Sequence, residues 1–139
     1  MPELVSTANS VWQGGLADGS GTVSFASGAT GPLAVSWASR TEAANGKTSP
    51  EELIGAAHAA CYSMALSHEI AGAGGTPKEL DVTAKVTFVA GTGITGVALT
   101  VSGQVEGLDD DGFRKAAEAA KEGCPVSQAL SVPITLTVN

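Results

Sequence analysis

Positive charge is scarce in this 139-residue chain. Seven Lys and Arg face fourteen Asp and Glu, a formal net charge of −7, and Arg40 and Arg114 are the two arginines. A protein that grips nucleic acid needs a basic face to displace counterions, so that class is excluded. Cysteine is equally scarce. Cys61 and Cys124 are two thiols, too few for a disulfide scaffold or a four-thiolate zinc site. Aromatic residues are few as well, with two Trp, one Tyr and three Phe. Charged residues make up 15% of the chain and hydrophobic ones 43%, too apolar a mixture for a disordered segment. What is plentiful is glycine, with eighteen copies, and small side chains generally. A chain of this length buries roughly two-thirds of its unfolded surface, enough for one core without staples. The expected organisation is a single domain over residues 1–139.

Long apolar runs are missing too. The uncharged apolar stretch Leu53 to Ser67 is too short and too rich in small residues to cross ~30 Å of hydrocarbon. Met1-Pro2-Glu3-Leu4-Val5 has neither the basic start nor the apolar stretch of a secretory signal. The expected compartment is therefore the cytoplasm, where free thiols stay reduced, and no membrane partner is expected.

Weak alternation over residues 8–12 and 21–25, punctuated by Gly14-Gly15 and Asp18-Gly19, predicts a strand pair. Leu33 to Trp37 is a third short strand candidate, ending in Ser39-Arg40. Ser49-Pro50-Glu51-Glu52 has the order of a helix start, with Ser49 at the N-cap, Pro50 at N1 and Glu52 completing a capping box. That helix can run until Gly72-Ala73-Gly74-Gly75 ends it. Small residues occur all round it, so it is expected to be buried on most sides. Asp81 to Val89 and Val97 to Val105 alternate as strands, joined by Ala90-Gly91-Thr92-Gly93. Asp109-Asp110-Asp111 precedes a second helix, Gly112 to Glu122, with its acids at the positive end of the helix dipole. A short helix from Pro125 and a last strand through Ile134, Leu136 and Val138 complete an α+β chain built on largely antiparallel sheet.

Cys61 lies mid-helix and by itself reads first as a small buried core residue. Cys124 lies where one helix ends and another can begin, and backbone N–H groups there would lower its thiol pKa. Local physics alone thus favours Cys124 as the nucleophile. Sixty-two residues lie between the two cysteines, so there is no CxxC and only the fold could pair them. A thiolate at Cys61 would need an outside cation. His58, three residues before Cys61, shares its helix face and reads as a core histidine or as a base. With His68 seven residues after Cys61 and no acid at helical spacing, no metal set forms. Glu52 has a capping role available, whereas Glu51 reads as a solvated first-turn acid.

Ser49-Pro50-Glu51-Glu52-Leu53-Ile54-Gly55-Ala56-Ala57-His58-Ala59-Ala60-Cys61, followed by Tyr62-Ser63-Met64-Ala65-Leu66, resembles the first cysteine motif of the OsmC/Ohr family of thiol peroxidases. Gly123-Cys124-Pro125-Val126-Ser127-Gln128-Ala129-Leu130 resembles the second. The likeness reaches Trp12-Gln13-Gly14 and Gly21-Thr22-Val23-Ser24 near the start and Ile134-Thr135-Leu136 at the end. The His-Ala-Ala-Cys form is closer to the OsmC branch (osmotically inducible protein C). The resemblance implies an intertwined homodimer, with antiparallel sheet around two central helices and active sites at the subunit interface.

It also implies that Cys61 attacks the peroxide and Cys124 resolves the sulfenic acid, which reverses the local preference. Arg40 and Glu51 occupy the positions of the family's thiolate-activating arginine and its partner acid. Ten residues separate Glu51 from Cys61, about 15 Å along one straight helix. Arg40 and Glu51 are therefore expected to serve the partner subunit's Cys61. The function so implied is reduction of organic hydroperoxides, and more weakly of hydrogen peroxide. An external dithiol such as dihydrolipoamide or a lipoylated protein would recycle the disulfide, without metal, haem or flavin. The family name points to osmotic or oxidative stress. The competing reading is a non-catalytic member of the same fold that senses redox state or binds a small ligand. A general thiol–disulfide oxidoreductase would be expected to carry the CxxC that is absent.

Overall fold

A computed structural model describes residues 2–139. The chain divides into two compact units, one ending at Pro50 and the other Glu51–Asn139.

The first unit is a small sheet and one turn of helix. Strands β1 (Ala8–Gln13) and β2 (Ser20–Phe25) form a hairpin, and β3 (Leu33–Val35) pairs with the other edge of β2. Both pairings are antiparallel. Gly21 lies opposite Trp12, and a Cβ there would sit 2.7 Å from the indole ring, so glycine is what lets the ring lie over the strand. The third strand is shorter than its sequence predicts. Ser36 leaves the sheet and caps helix α1 (Trp37–Thr41), its hydroxyl accepting from Ser39 N–H while the Ser39 hydroxyl accepts from Ser36 N–H. Arg40 is therefore in a helical last turn, not at a strand end.

The second unit holds the long helix α2 (Pro50–Gly72), strands β4 (Thr76–Val89), β5 (Gly93–Glu106) and β6 (Ile134–Val138), and helices α3 (Asp110–Gly123) and α4 (Pro125–Ala129). Both long strands start earlier than the alternation alone indicates. The sheet order is β4-β5-β6, with β4 and β5 antiparallel but β5 and β6 parallel. The sheet pairing is thus largely antiparallel, as the sequence leads one to expect, with β5–β6 the parallel pair. The segment between β5 and β6 carries α3 and α4, long enough for the crossover that a parallel pair needs. Asp109 caps α3 by accepting from Gly112 N–H at 2.7 Å.

Tyr62, Leu66 and Ile70 of α2 pack with Val97, Leu99 and Val101 of β5, Ala116, Ala117 and Ala120 of α3, and Cys124. At Gly55 a Cβ would lie 3.2 Å from the Ala84 carbonyl oxygen, so the missing side chain brings α2 close onto β4. Helix α2 is not buried on most sides in the single chain. Its buried residues, Glu51, Gly55, His58, Tyr62, Leu66 and Ile70, follow one stripe, while Ala56, Ala57, Ala60 and Met64 are exposed.

Candidate active site

The second unit brings both cysteines together. Helix α2 carries Cys61 beside the core residue Tyr62, and Cys61 is half-buried. Cys124 is the one residue between α3 and α4. Its N–H donates to Ala120 C=O at 2.9 Å, closing α3, and its own carbonyl accepts from Gln128 N–H at 3.0 Å, opening α4. The extended backbone at this joint (φ −65°, ψ 120°) accompanies a sulfur that is wholly buried. Both thiols are free, and each perturbs the other's titration.

Their electrostatics are opposed. Burial pushes the Cys61 thiol up, and its proton-sharing contact with Cys124 adds to this, outweighing the backbone N–H of Val126. Burial also acts to raise Cys124. It is overcome by the Ser127 N–H, the Cys61 thiol, the Ser127 hydroxyl and the Val126 N–H, so this thiol lies below its ordinary value. The sulfur makes no side-chain capping hydrogen bond to α4, and these groups act on it as polar neighbours. Within one chain Cys124 is thus the more acidic thiol and Cys61 the less acidic, as local helix physics leads one to expect. Accessibility runs the other way: Cys61 is half-buried, whereas Cys124 is enclosed.

His58 is fully buried on the core stripe of α2, and burial pulls its pKa down. Its Nε2 lies 2.7 Å from Ser127 Oγ. The core-histidine reading is correct as to burial, but the residue also touches the polar surroundings of the thiols. Ser127 is a site residue that motif reading passes over. The available signal is its spacing, three residues after Cys124 and hence one helical turn along. Tyr62 is the other such residue. Its hydroxyl donates to Ala117 C=O at 2.9 Å, and burial, with the charges of Glu118 and Cys124, pushes its pKa up.

Glu51 is 6% exposed, which overturns its reading as a solvated first-turn acid. Burying a carboxylate is costly unless it is paired, so its position calls for a role beyond favouring the dipole. Helix α2 is unbroken from Pro50 to Gly72, which leaves Glu51 about 15 Å along the axis from Cys61 of its own chain. Arg40 belongs to the first unit, with its guanidinium carbon 5.8 Å from the centre of the Trp37 ring. Among the described residues no group of three or more His, Cys, Asp and Glu converges as a metal set would. No helix of the described residues is long and apolar enough to cross a membrane.

Comparison with known proteins places this geometry in a family. Residues 43–139 match the family described as OsmC, OsmC-like protein. Peroxiredoxin OsmC of Escherichia coli strain K12 is 47% identical over 128 residues, covering 90% of this chain and 89% of that protein. The crystal structure of an organic hydroperoxide resistance protein OsmC from Legionella pneumophila superposes with a TM-score of 0.74 at 25% identity, covering 99% of both chains. That of an organic hydroperoxide resistance protein from Elizabethkingia anophelis gives 0.74 at 28% identity, covering 100% of this chain and 99% of the other.

Proposed function

The chain belongs to the OsmC family, and from that premise we propose that it is a cysteine-based peroxidase that reduces organic hydroperoxides to alcohols. The observation that carries this reading is the meeting of a half-exposed Cys61 with a buried, free Cys124. The Cys61 sulfur attacks the terminal peroxide oxygen, and the O–O bond breaks. The alkoxide leaves and takes the proton that the thiol gave up. The Cys124 sulfur then attacks the Cys61 sulfenic acid, an S–S bond forms, and hydroxide leaves as water with the second thiol proton. An external dithiol, dihydrolipoamide or a lipoylated protein, reduces the disulfide and is itself oxidised to one. No metal or organic cofactor enters these steps. The apolar flanks of α2 suit an alkyl hydroperoxide better than hydrogen peroxide.

Cys61 can react at neutral pH only if a cation offsets its raised pKa. Arg40, held by Glu51, fills that role, with both serving the partner subunit's Cys61. The proposed state is a homodimer. Its support is surface that a lone chain leaves open: β1 is exposed along its whole length, with Val11 54% and Trp12 41% exposed, and Met64 on α2 is 70% exposed. The proposed setting is the cytoplasm, in defence against oxidative or osmotic stress. Steady-state turnover of an alkyl hydroperoxide with dihydrolipoamide tests the reading. Cys61→Ser abolishes turnover if it is correct, and full turnover by that variant refutes it.

The raised pKa of Cys61 favours a second reading, a non-catalytic member that senses redox state or binds a small ligand. It requires Cys61 to be inert to peroxide, which the same assay decides.

A further inference from the structure

The polar line through the site continues past the thiols. His58 precedes Cys61 by one turn of α2, and Ser127 follows Cys124 by one turn of α4. The 2.7 Å contact between His58 Nε2 and Ser127 Oγ joins the two, and Ser127 acts on the Cys124 sulfur through both its hydroxyl and its N–H. His58, Ser127, Cys124 and Cys61 thus form one continuous series. A fully buried imidazole is uncommon and needs hydrogen-bonding partners. Here Nδ1 has none among the described residues.

That orphan assigns the tautomer. A proton on Nδ1 would bury an N–H without an acceptor, while Nε2 accepted from the serine. A proton on Nε2 leaves only a bare lone pair at Nδ1, the less costly of the two defects. In the second form Nε2–H donates to Ser127 Oγ, and the serine's own O–H is left to donate toward the Cys124 sulfur.

We propose that His58 is a positioning residue for the resolving thiol: it orients the Ser127 hydroxyl so that Cys124 is held as the thiolate that attacks the Cys61 sulfenic acid. The attack rests on the peroxidase reading, whereas the hold on Cys124 does not. In that step the S–S bond forms and the S–O bond of the sulfenic acid breaks. The sulfenic sulfur is reduced and Cys124 is oxidised. Hydroxide departs and takes from solvent a proton replacing the one that Cys124 released. His58 stays neutral throughout and exchanges no proton.

Two measurements test the proposal. The first is the Cys124 pKa in a Cys61→Ser background, read from thiolate absorbance near 240 nm. The nearby Tyr62 phenol titrates too high to interfere. His58→Leu and Ser127→Ala should each raise that pKa by roughly one unit or more, the scale of a hydrogen bond to a charged group. His58→Gln and Ser127→Thr, which keep a donor and a hydroxyl, should restore part of it. Adding His58→Leu to Ser127→Ala should change nothing further, because one acts through the other. The second is the rate at which sulfenic acid becomes disulfide in a single turnover with an alkyl hydroperoxide, in chains with both cysteines. It should fall roughly tenfold in His58→Leu and in Ser127→Ala.

An unchanged Cys124 pKa in Ser127→Ala, whose side chain is small and half-buried, overturns the proposal even if His58→Leu fails to fold. So do fully additive effects of the two substitutions. If the unmodified chain forms no sulfenic acid or disulfide, the peroxidase reading fails, and the Cys124 titration still decides the role of His58.

Discussion

The phenol of Tyr62 donates to the Ala117 carbonyl at 2.9 Å, fastening α2 to α3 next to both thiols. Tyr62 immediately follows Cys61, and α3 ends one residue before Cys124, so this bond ties the helix bearing Cys61 to the helix that leads into Cys124. Tyr62→Phe keeps the ring and removes the bond. The expected loss is about 1 kcal/mol of folding stability, the net value of a buried hydrogen bond. Urea denaturation checks it through a lower midpoint at unchanged slope.

Gly55 permits a second close approach, with its Cα side turned to the Ala84 carbonyl oxygen. The obstacle is strand backbone, which cannot swing aside as a flexible side chain does. Gly55→Val is expected to destabilise the fold by about 1–3 kcal/mol through overpacking, against any gain in helix propensity. Thermal melting of the variant measures the loss.

Much of this arrangement was legible in the residues. Ser49-Pro50 and the glycines after residue 72 mark the ends of α2, and Asp109 marks the start of α3. The rest depended on information that local pattern does not carry. Helix α1 is five residues long and is held by a Ser36–Ser39 pair instead of a serine–glutamate box, within a segment that also alternates like a strand. The parallel pairing of β6 is permitted by the length of the crossover but not dictated by it. Small residues all round α2 signal close packing, yet not whether the second face meets this chain or another. The burial of Glu51 breaks the rule for first-turn acids. The link from His58 to Ser127 joins residues 69 apart in sequence, which no local period can reveal.

Burial of His58 makes stability depend on pH. Its folded pKa is depressed below 6.5, the ordinary value, so the unfolded chain takes up a proton first as pH falls. The stability associated with the neutral ring is present above pH 6.5 and is lost as pH falls through that value toward the folded pKa. The urea midpoint is therefore expected to drop between pH 7.5 and pH 5.5. The drop should be smaller in His58→Gln, which cannot titrate, so the difference between the two curves isolates the imidazole.

Arg40 and Glu51 give the sharpest test of how two chains share a site. An unbroken α2 holds Glu51 about 15 Å along the axis from its own Cys61, so the pair is expected to act on the partner subunit's Cys61. Arg40→Met and Cys61→Ser should each be nearly inactive as homodimers, the first by at least roughly tenfold because a fixed cation is lost from beside the thiolate. A mixed dimer, one chain of each variant isolated with two affinity tags, distinguishes the arrangements. If Arg40 acts across the interface, the Cys61 of the Arg40→Met chain meets the intact Arg40 of the other, and one of the two symmetry-related sites is whole. Turnover of an alkyl hydroperoxide should then return to roughly half the unmodified value. If Arg40 acts within its own chain, neither site is complete and the mixed dimer stays as inactive as its parents.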